Sequence, residues 1–523
     1  MNKEFLVTKF PSSEFEEHLL RAAAPYRGNV HPIQATLEAL YASPLNCQTA
    51  VFEREYVDMD YQDEFAAFYS KAFKRYPCRA VRVHFFAAQV TVDDLHRIDT
   101  FGDHYLGYLI LRPIDLQRVG RTVLKPALAN PDREFVHCRA VFPVHILGHS
   151  LIVNGMPFIQ QDTQVGACAQ ASLWMLARYM SRRFGHREFL PSEINQFAKA
   201  KGAMGRALPA EFGLNLRQIL DALEAMGLSA WNYSSQALDD CSDHIDAAFP
   251  SPRKGTRRAQ EIQRGFVRMV KLADIAYRYI ESGLPVILCT DNHALVCIGH
   301  TYDHKAKATA AIQRIPAFIV HDDASGPYQS MPIFKLHGRN LPFADVEDII
   351  AVVPPEVTLR GEEAESMSRQ AIAAFLSLKT GDSKHTTYKK LILHLRPDFR
   401  GLLNRLEFRT FLMPSVEFQN KIRQDAADKR FNPALAKRFI ELDYPKFIWI
   451  TEVSSSALLN HPRREDRKCL GRVIIDSTAP SRTRGEMVVH FCDFLAMLDR
   501  QKPTPPSWEY VPQTTSFGHQ ISR

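Results

Sequence analysis

Four short apolar runs between residues 284 and 353 limit the fold more than any other feature of this sequence. They read LPVILC, ALVCIGH, AFIV and IIAVV, and each has the length of a buried β-strand. Helical patterns precede them: Leu173, Leu176 and Met180 share one helical face, and a strongly amphipathic segment begins at Leu216. Helices followed by strands predict an α+β fold, with an antiparallel sheet packed against the earlier helices.

The length of 523 residues is too great for one ordinary hydrophobic core and indicates several domains. A helix start at residues 11–21 and three strand patterns predict a separate α+β region before the apolar runs. After the runs, polar helical patterns around Phe408 and two clear strands predict a second α+β region. We therefore expect an N-terminal accessory domain, a central domain and a C-terminal accessory domain with an extended proline-rich tail, over residues 1–145, 146–355 and 356–523.

Composition excludes several classes of protein. The chain has 46% hydrophobic and 24% charged residues, which is typical of a soluble globular protein. It contains no apolar stretch of transmembrane length and no signal-peptide core, so we expect a cytoplasmic protein without a membrane partner. The pattern indicates no particular oligomeric state.

The cysteines and histidines do not follow the spacing of metal ligands. Nine cysteines are scattered without a CxxC pair, and twenty histidines occur without an HExxH motif. We therefore expect no disulfide framework, no metal and no cofactor. Most of the cysteines are predicted to be reduced core residues.

The positive charge of the chain is concentrated in its last third. Residues 356–523 contain 27 Lys and Arg against 20 Asp and Glu, which accounts for the whole net charge of +7. Such an excess is compatible with an acidic partner or a nucleic acid. Because it is modest for a chain of this size, a solvated basic surface is the favoured interpretation.

One cysteine stands where a nucleophile is expected. Cys168 follows a glutamine-rich turn and opens the helical pattern that continues to Met180. The free N–H groups and the dipole of a helix N-terminus favour a thiolate there. The competing interpretation is a small buried hydrophobic residue, which is the usual role of a free cysteine.

Partners for a nucleophilic cysteine follow in order along the central region. His293 opens the second apolar run, and the third run ends in Asp322 and Asp323. Adjacent antiparallel strands can bring an aspartate beside His293, which would orient the histidine as a general base for Cys168. Each residue also has a structural interpretation, as a histidine at a strand start or as acids in an ordinary turn.

Three glutamines precede the cysteine, and a side-chain amide from one of them can complete an oxyanion hole. They are Gln160, Gln161 and Gln164.

These residues resemble the papain-like cysteine peptidases, closest to the bacterial branch that includes the double-glycine leader peptidases. The resemblance covers about 200 of the 523 residues, through the segments CAQASLWM from Cys168, SGLPVIL, HALVCIGH from His293, and IVHD ending at Asp322. It implies a papain-like core, with Cys168 as nucleophile, His293 as general base and acid, and Asp322 as the orienting residue.

The chain departs from the family pattern at several positions. Alanines flank Cys168, where the family has Asp before and Gly after its cysteine, and Asp323 replaces the proline of the family's Asp-Pro pair. Asp162 occupies the position of the family's oxyanion glutamine, six residues before the nucleophile. We therefore assign that role to Gln161, with Gln160 as the second candidate, and keep Asp323 as an alternative orienting residue.

The sequence thus predicts a thiol hydrolase that cleaves a peptide or isopeptide bond through a thioacyl intermediate, with a protein or peptide substrate. Deamidation and transglutaminase-like transfer use the same triad and remain open. A different class of function also remains open: an inactive papain-like scaffold that binds a protein or nucleic acid through its basic C-terminal third.

Overall fold

A computed structural model describes residues 4–23, 29–116, 118–162, 168–199, 213–236, 238, 243–249, 257–306, 308, 310–334, 342–377, 406–428, 431–455, 469–478, 486–491, 494–499 and 509–510. The helices α1 to α11 are Ser13–Ala23, His31–Tyr41, Met59–Ala67, Cys168–Phe184, Pro191–Phe197, Leu216–Ala225, Asp243–Ala248, Arg257–Glu281, Gly361–Ser377, Ser415–Ala427 and Pro433–Ile440. Short 3-10 helices occupy Tyr69–Lys71, Val92–His104, Ala311–Arg314 and Phe343–Asp345.

The strands β1 to β20 are Phe5–Lys9, Thr49–Tyr56, Ala80–Phe86, Tyr105–Leu111, Thr122–Leu124, Glu134–Val136, Ala140–Ile146, His149–Phe158, Ser229–Ser234, Val286–Cys289, Ala294–Thr301, Ala317–Asp322, Gly326–Pro332, Asp348–Val353, Leu406–Pro414, Phe447–Ser455, Gly471–Asp476, Glu486–Phe491, Phe494–Asp499 and Glu509–Tyr510. The four apolar runs are β10, β11, β12 and β14, as predicted.

Three antiparallel sheets organise these strands, which confirms the predicted α+β class. The first has the order β1-β2-β3-β4-β5-β8-β7, and the second has the order β13-β12-β11-β10-β14-β9, with β6 also paired to β11. The third runs in chain order from β15 to β20. Since every strand pair described is antiparallel, neighbouring strands in the central sheet present their opposite ends at the same edge.

Near the expected domain boundary at residue 145, one strand before the boundary belongs to the second sheet and one strand after it belongs to the first sheet. That position falls inside the hairpin of β7 and β8, whose register pairs Ile146 with His149. Strand β6 lies before this hairpin in the chain but belongs to the second sheet, where it pairs with β11 and Val136 lies opposite Gly299. A side chain on Gly299 would meet the backbone oxygen of Phe135, so glycine permits this close approach.

Helix α4 lies in the core between the first two sheets. Residues 169–180 of this helix are all buried, so the apolar face predicted from Leu173, Leu176 and Met180 is only part of its contact surface. Its polar side chains are paired: Trp174 Nε1 and Arg178 Nη2 both donate to Asp60 Oδ1 on α3, at 3.1 and 2.6 Å. The N-terminal part of the chain therefore holds the helix that begins with Cys168.

The segment around Phe408 is a strand, so the prediction of polar helices there is wrong. Strand β15 is covered by α8 and α9 and also contacts α10, and most of its residues are buried on both faces. Leu406 to Arg409 alternate between apolar and polar residues, but the apolar run from Phe411 to Met413 interrupts this alternation. The pattern of such a segment does not distinguish a strand from a helix.

The acidic segment after residue 361, for which the sequence allowed a linker or a helix start, forms the start of α9. Glu362 and Glu365 are buried, and Arg278 of α8 donates to Glu365 Oε2 at 2.7 Å. Gly361 allows Trp449 to approach closely, because a Cβ there would lie 2.9 Å from the indole ring. The C-terminal sheet is thereby packed directly against the helices of the central region.

Other sequence features differ from the prediction or lie outside the described residues. The sequence predicts a helix from Leu272 to Glu281. In the structure this helix, α8, begins fifteen residues earlier, at Arg257. The charged segment 461–468, the tail at 502–507 and Gln164 lie outside the described residues. Among the helices that the structure describes, none combines the length and the hydropathy of a membrane span.

Substitution of Asp60 with alanine should destabilise the protein strongly. It leaves the buried Arg178 guanidinium without this carboxylate and Trp174 Nε1 without its acceptor, and breaking a buried pair costs about 3–5 kcal/mol. Urea unfolding should show this loss. The control is Glu17→Ala, which removes an exposed pair with Arg21 on α1 and should cost about 0.3–0.5 kcal/mol. Equal effects of the two variants would contradict the role assigned to Asp60.

Candidate active site

Cys168 is the first residue of helix α4, and its side chain is partly exposed. The first turn of the helix is tied to the central sheet, because Ser172 Oγ donates to the backbone oxygen of Ala294 at 3.0 Å. Ala294 follows His293 directly. The hydrogen bond therefore sets the distance between the start of α4 and the segment that carries the histidine.

His293 lies in the turn between β10 and β11. The backbone N–H of Thr290 donates to the oxygen of His293 at 2.9 Å, which closes this turn. The His293 side chain is 19% exposed, so one edge of the ring remains open to solvent. Because Val296 pairs with His321, the histidine and the end of β12 lie at the same edge of the sheet.

Asp322, the last residue of β12, contacts the imidazole of His293. Its Oδ1 lies 2.8 Å from His293 Nε2. Burial lowers the pKa of His293, but side-chain hydrogen bonds with Asp322 and Cys168 and the charges of Asp322 and Asp323 outweigh it and raise this pKa to about 10. His293 is therefore an imidazolium at neutral pH.

Asp322 and Asp323 differ in their relation to the imidazole. Burial raises the pKa of Asp322, but the hydrogen bond and charge of His293 outweigh it and hold that pKa below its ordinary value. Asp323 Oδ1 lies farther away, 3.7 Å from His293 Nε2. Burial raises the pKa of Asp323 to about 7, since the attraction of His293 offsets it only in part. Asp322 is thus the carboxylate in hydrogen-bond contact with the histidine.

The described glutamines before Cys168 have different surroundings. Gln160 is buried and engaged elsewhere: its Oε1 accepts from the N–H of Val119 at 3.3 Å, and its Nε2 donates to the oxygen of Asn29 at 3.1 Å. Gln161 is partly exposed, and its backbone lies close enough to Asp323 to lower the pKa of that carboxyl. Of the two, only Gln161 has a side chain available to a substrate at this edge.

Asp162, which stands at the family's oxyanion position, is also occupied. Its carboxylate accepts a hydrogen bond from the Tyr69 hydroxyl. This acid belongs to a buried group in the N-terminal region that includes the pair of Arg112 and Glu64, 2.8 Å apart. The contact anchors the segment that precedes the cysteine.

A small cavity lies along α4 beside the segment before Cys168. Gln161, Gln170, Trp174 and Asn195 are among the described residues that line it, whereas Cys168 and His293 are not. The cavity therefore adjoins the candidate site without containing its reactive groups.

Several supporting residues were not predicted from the sequence. Asn29 Nδ2 donates to the oxygen of Ala324, in the turn after Asp322, and Arg112 Nη2 donates to the oxygen of Gln160 at 2.9 Å. Both belong to the N-terminal region, in which the sequence indicated no active-site residue. No local motif could have found them, since the Asn29 contact joins positions 295 residues apart.

The same edge of the sheet offers possible metal ligands. One ligand atom each from His293, Asp322 and Asp323 lies within 4.8 Å of the others. Asp322 Oδ1 already accepts from His293 and from the N–H of Ala324, at 2.8 and 2.9 Å. These contacts are sufficient to hold the carboxylate and the imidazole without an ion.

Comparison with known proteins adds no relative from which a function could be transferred. The sequence matches no protein-family model, no curated protein and no solved structure. Inference of a function for this chain therefore depends on the geometry of the site.

The pKa of His293 can be measured by NMR titration of its ring. We expect a midpoint near 10, which Asp322→Asn should lower by about 1–3 because the hydrogen-bonded carboxylate is lost. The control Asp323→Asn should lower it less, since Asp323 is more distant. Because this pKa is raised above that of the unfolded chain, the imidazolium contributes stability that is fully present below about pH 6.5 and is lost as the pH rises to about 10. A wild-type midpoint near 6.5 would contradict this assignment.

Proposed function

We propose that this protein is a cysteine hydrolase with a papain-like core, which cleaves a peptide or isopeptide bond through Cys168, His293 and Asp322. The proposal rests above all on one observation: Asp322, His293 and Cys168 form a chain of neighbouring groups, in which the carboxylate is hydrogen-bonded to the imidazole and the partly exposed thiol is close enough to raise the pKa of that imidazole. Sequence neighbours do not produce this chain, because its members come from α4, from the turn before β11 and from the end of β12.

Because the pKa of His293 is raised, its imidazole ring carries a proton before the reaction begins. With His293 as imidazolium, Cys168 acts as a thiolate and attacks the carbonyl carbon to form a C–S bond. His293 then gives its proton to the leaving amine as the C–N bond breaks, which leaves a thioester on Cys168. The neutral imidazole next takes a proton from water, whose oxygen attacks the thioester, and the acid product and the thiolate are released.

Asp322 supports both steps by holding the imidazole in one orientation. Its charge favours the imidazolium that is present before the attack and after each turnover. The N–H of Ala324 holds the carboxylate from the other side, at 2.9 Å. Gln161 is the residue we assign to the oxyanion, because Gln160 and Asp162 are engaged in the N-terminal region.

The same geometry bears on the alternative of an inactive scaffold. A scaffold would place Cys168 and His293 within solid core, whereas both side chains are partly exposed. Deamidation and acyl transfer to an amine use the same thioester and differ only in the leaving group or the acceptor. We take peptide or isopeptide hydrolysis as the activity, with a protein or peptide as the substrate.

A reducing location is part of this proposal, since the mechanism needs a free thiolate. The seven described cysteines, Cys168 among them, are all free. This agrees with a cytoplasmic protein, in which thiols are kept reduced.

Thiol labelling at neutral pH tests the nucleophile directly. A limiting amount of iodoacetamide should modify Cys168 first in the wild type, and Cys168→Ala should lose this rapid labelling. His293→Ala should slow it, because the imidazolium that stabilises the thiolate is gone. Cleavage of a peptide library should fall by about 10²–10⁴-fold in His293→Ala. Mass spectrometry of the labelled peptides identifies the modified thiol.

Two other thiols serve as controls for the labelling. Cys78 is exposed and Cys289 is near Cys168, and burial raises the pKa of the Cys289 thiol to about 12. Neither Cys78→Ala nor Cys289→Ala should change the rapid labelling of Cys168. Equal labelling of the wild type and Cys168→Ala would refute the proposed nucleophile.

The oxyanion residue is tested by a pair of neighbouring substitutions. Gln161→Ala should lower turnover by about 10²–10³-fold without slowing iodoacetamide labelling, because an oxyanion donor acts only on the substrate's developing charge. Gln160→Ala should instead lower the thermal midpoint, since it removes hydrogen bonds to Val119 and Asn29. Turnover of the folded Gln160→Ala protein should be close to that of the wild type. Loss of turnover in the folded Gln160→Ala protein, with turnover retained in Gln161→Ala, would instead assign the oxyanion role to Gln160.

A further inference from the structure

Away from the candidate active site, three metal-ligating side chains meet in the interior. They are His137, which follows β6, Glu281, the last residue of α8, and His300 on β11. His300 and Glu281 are almost fully buried, and the His137 side chain is 4% exposed. The three residues belong to different parts of the chain and converge on one point.

Two of the three distances among their ligand atoms are close to those expected around a tetrahedral ion, and the third is shorter. His137 Nε2 lies 3.2 Å from His300 Nε2 and 3.6 Å from Glu281 Oε1, and His300 Nε2 lies 2.7 Å from Glu281 Oε1. Zinc bound at about 2.0–2.1 Å in a tetrahedral site has ligand atoms about 3.3 Å apart. Two imidazole nitrogens and a carboxylate oxygen are also a ligand set that zinc accepts.

The hydrogen bond that His300 makes through Nδ1 indicates which of its ring nitrogens is available as a metal ligand. His300 Nδ1 lies 3.0 Å from the backbone oxygen of Thr301, so in the neutral ring Nδ1 carries the proton and donates it. His300 Nε2, on the opposite side of the ring, lies 2.7 Å from Glu281 Oε1 and is the nitrogen available to an ion. A histidine whose outer nitrogen donates to a backbone carbonyl is the usual arrangement of a metal ligand.

We propose that His137, Glu281 and His300 bind a zinc ion that joins the N-terminal and central parts of the protein. The other oxygen of Glu281 supports this role, because Arg409 Nε of β15 donates to Oε2 at 2.9 Å and leaves Oε1 for the ion. Arg409 also donates to Glu452 of β16 at 2.8 Å, which connects the site to the C-terminal sheet. Such an ion holds the tertiary structure and is separate from the reaction at Cys168.

This site was not predicted from the sequence, which led us to expect no metal. Its ligands are separated by 144 and 19 positions, and no zinc motif has that spacing. Only the pairing of β6 with β11 and the end of α8 beside that pair bring them together. The pairing places Gly299 opposite Val136, and therefore His300 near His137.

Metal analysis of the full chain tests the proposal. The protein should carry Cys168→Ala and His293→Ala, so that zinc at the candidate active site does not contribute. Purified without chelators, it should contain about one zinc ion per chain by plasma mass spectrometry. Added Glu281→Gln and His137→Gln substitutions should each abolish that zinc. A protein that contains no zinc after incubation with it, or variants that keep it, would overturn the proposal.

A matched control comes from the first sheet. His84 is buried beside Glu53 and Arg82, with its Nε2 3.5 Å from Glu53, so it shares the surroundings of His300. Among the described residues no second histidine completes a ligand group there. His84→Asn should therefore keep the zinc, and its loss in this variant would show that metal content follows folding and not ligation.

Cobalt substitution provides a test that does not depend on the folding of a variant. Replacement of zinc by cobalt(II) in the same protein should produce the visible d–d bands of a tetrahedral ion, and added zinc should remove them. Removal of the metal by a chelator should also lower the thermal midpoint, because the ion joins the N-terminal and central parts of the chain. Absence of these bands at saturating cobalt would refute a tetrahedral site. An imidazolium at His300 paired with Glu281 would then account for the 2.7 Å contact.

Discussion

The antiparallel pairing of β11 with β12 is the constraint on which the candidate site depends. It places the start of one strand beside the end of the other, so that His293 and Asp322 meet although 29 positions separate them. The hydrogen bond from Ser172 to Ala294 then sets helix α4 against the same edge and brings Cys168 to the imidazole. A change of one residue in this register would reverse the faces of one strand and separate the acid from the histidine.

Buried ion pairs connect the rest of the molecule to that sheet. Arg178 contacts Asp60 in the N-terminal region, and Arg278 contacts Glu365 in the C-terminal region. Arg314 forms a two-point contact with Glu407 of β15, at 2.6 and 2.7 Å. Each pair is hydrogen-bonded within the core, so the loss of one partner would leave a charge that water cannot reach. These contacts tie the flanking parts of the chain to the central sheet.

The N-terminal region contributes to the candidate site by holding its neighbours. Val119 and Asn29 engage Gln160, Tyr69 engages Asp162, and Asn29 reaches the turn that follows Asp322. This support explains why Gln160 and Asp162 are unavailable to a substrate, whereas Gln161 is partly exposed. The region therefore shapes the substrate side of the proposed active site, although its own sequence has no catalytic pattern.

The sequence by itself determined the α+β class, the four central strands and the order of Cys168, His293 and Asp322. These features depend on local periodicity and on side-chain chemistry, both of which are readable along the chain. It did not determine that β15 is a strand, because the alternation from Leu406 to Arg409 is short and is followed by the apolar run from Phe411 to Met413. Nor did it indicate the convergence of His137, Glu281 and His300. Only the tertiary structure decided these points, as well as which aspartate is hydrogen-bonded to the imidazole, because each depends on contacts between residues far apart in the chain.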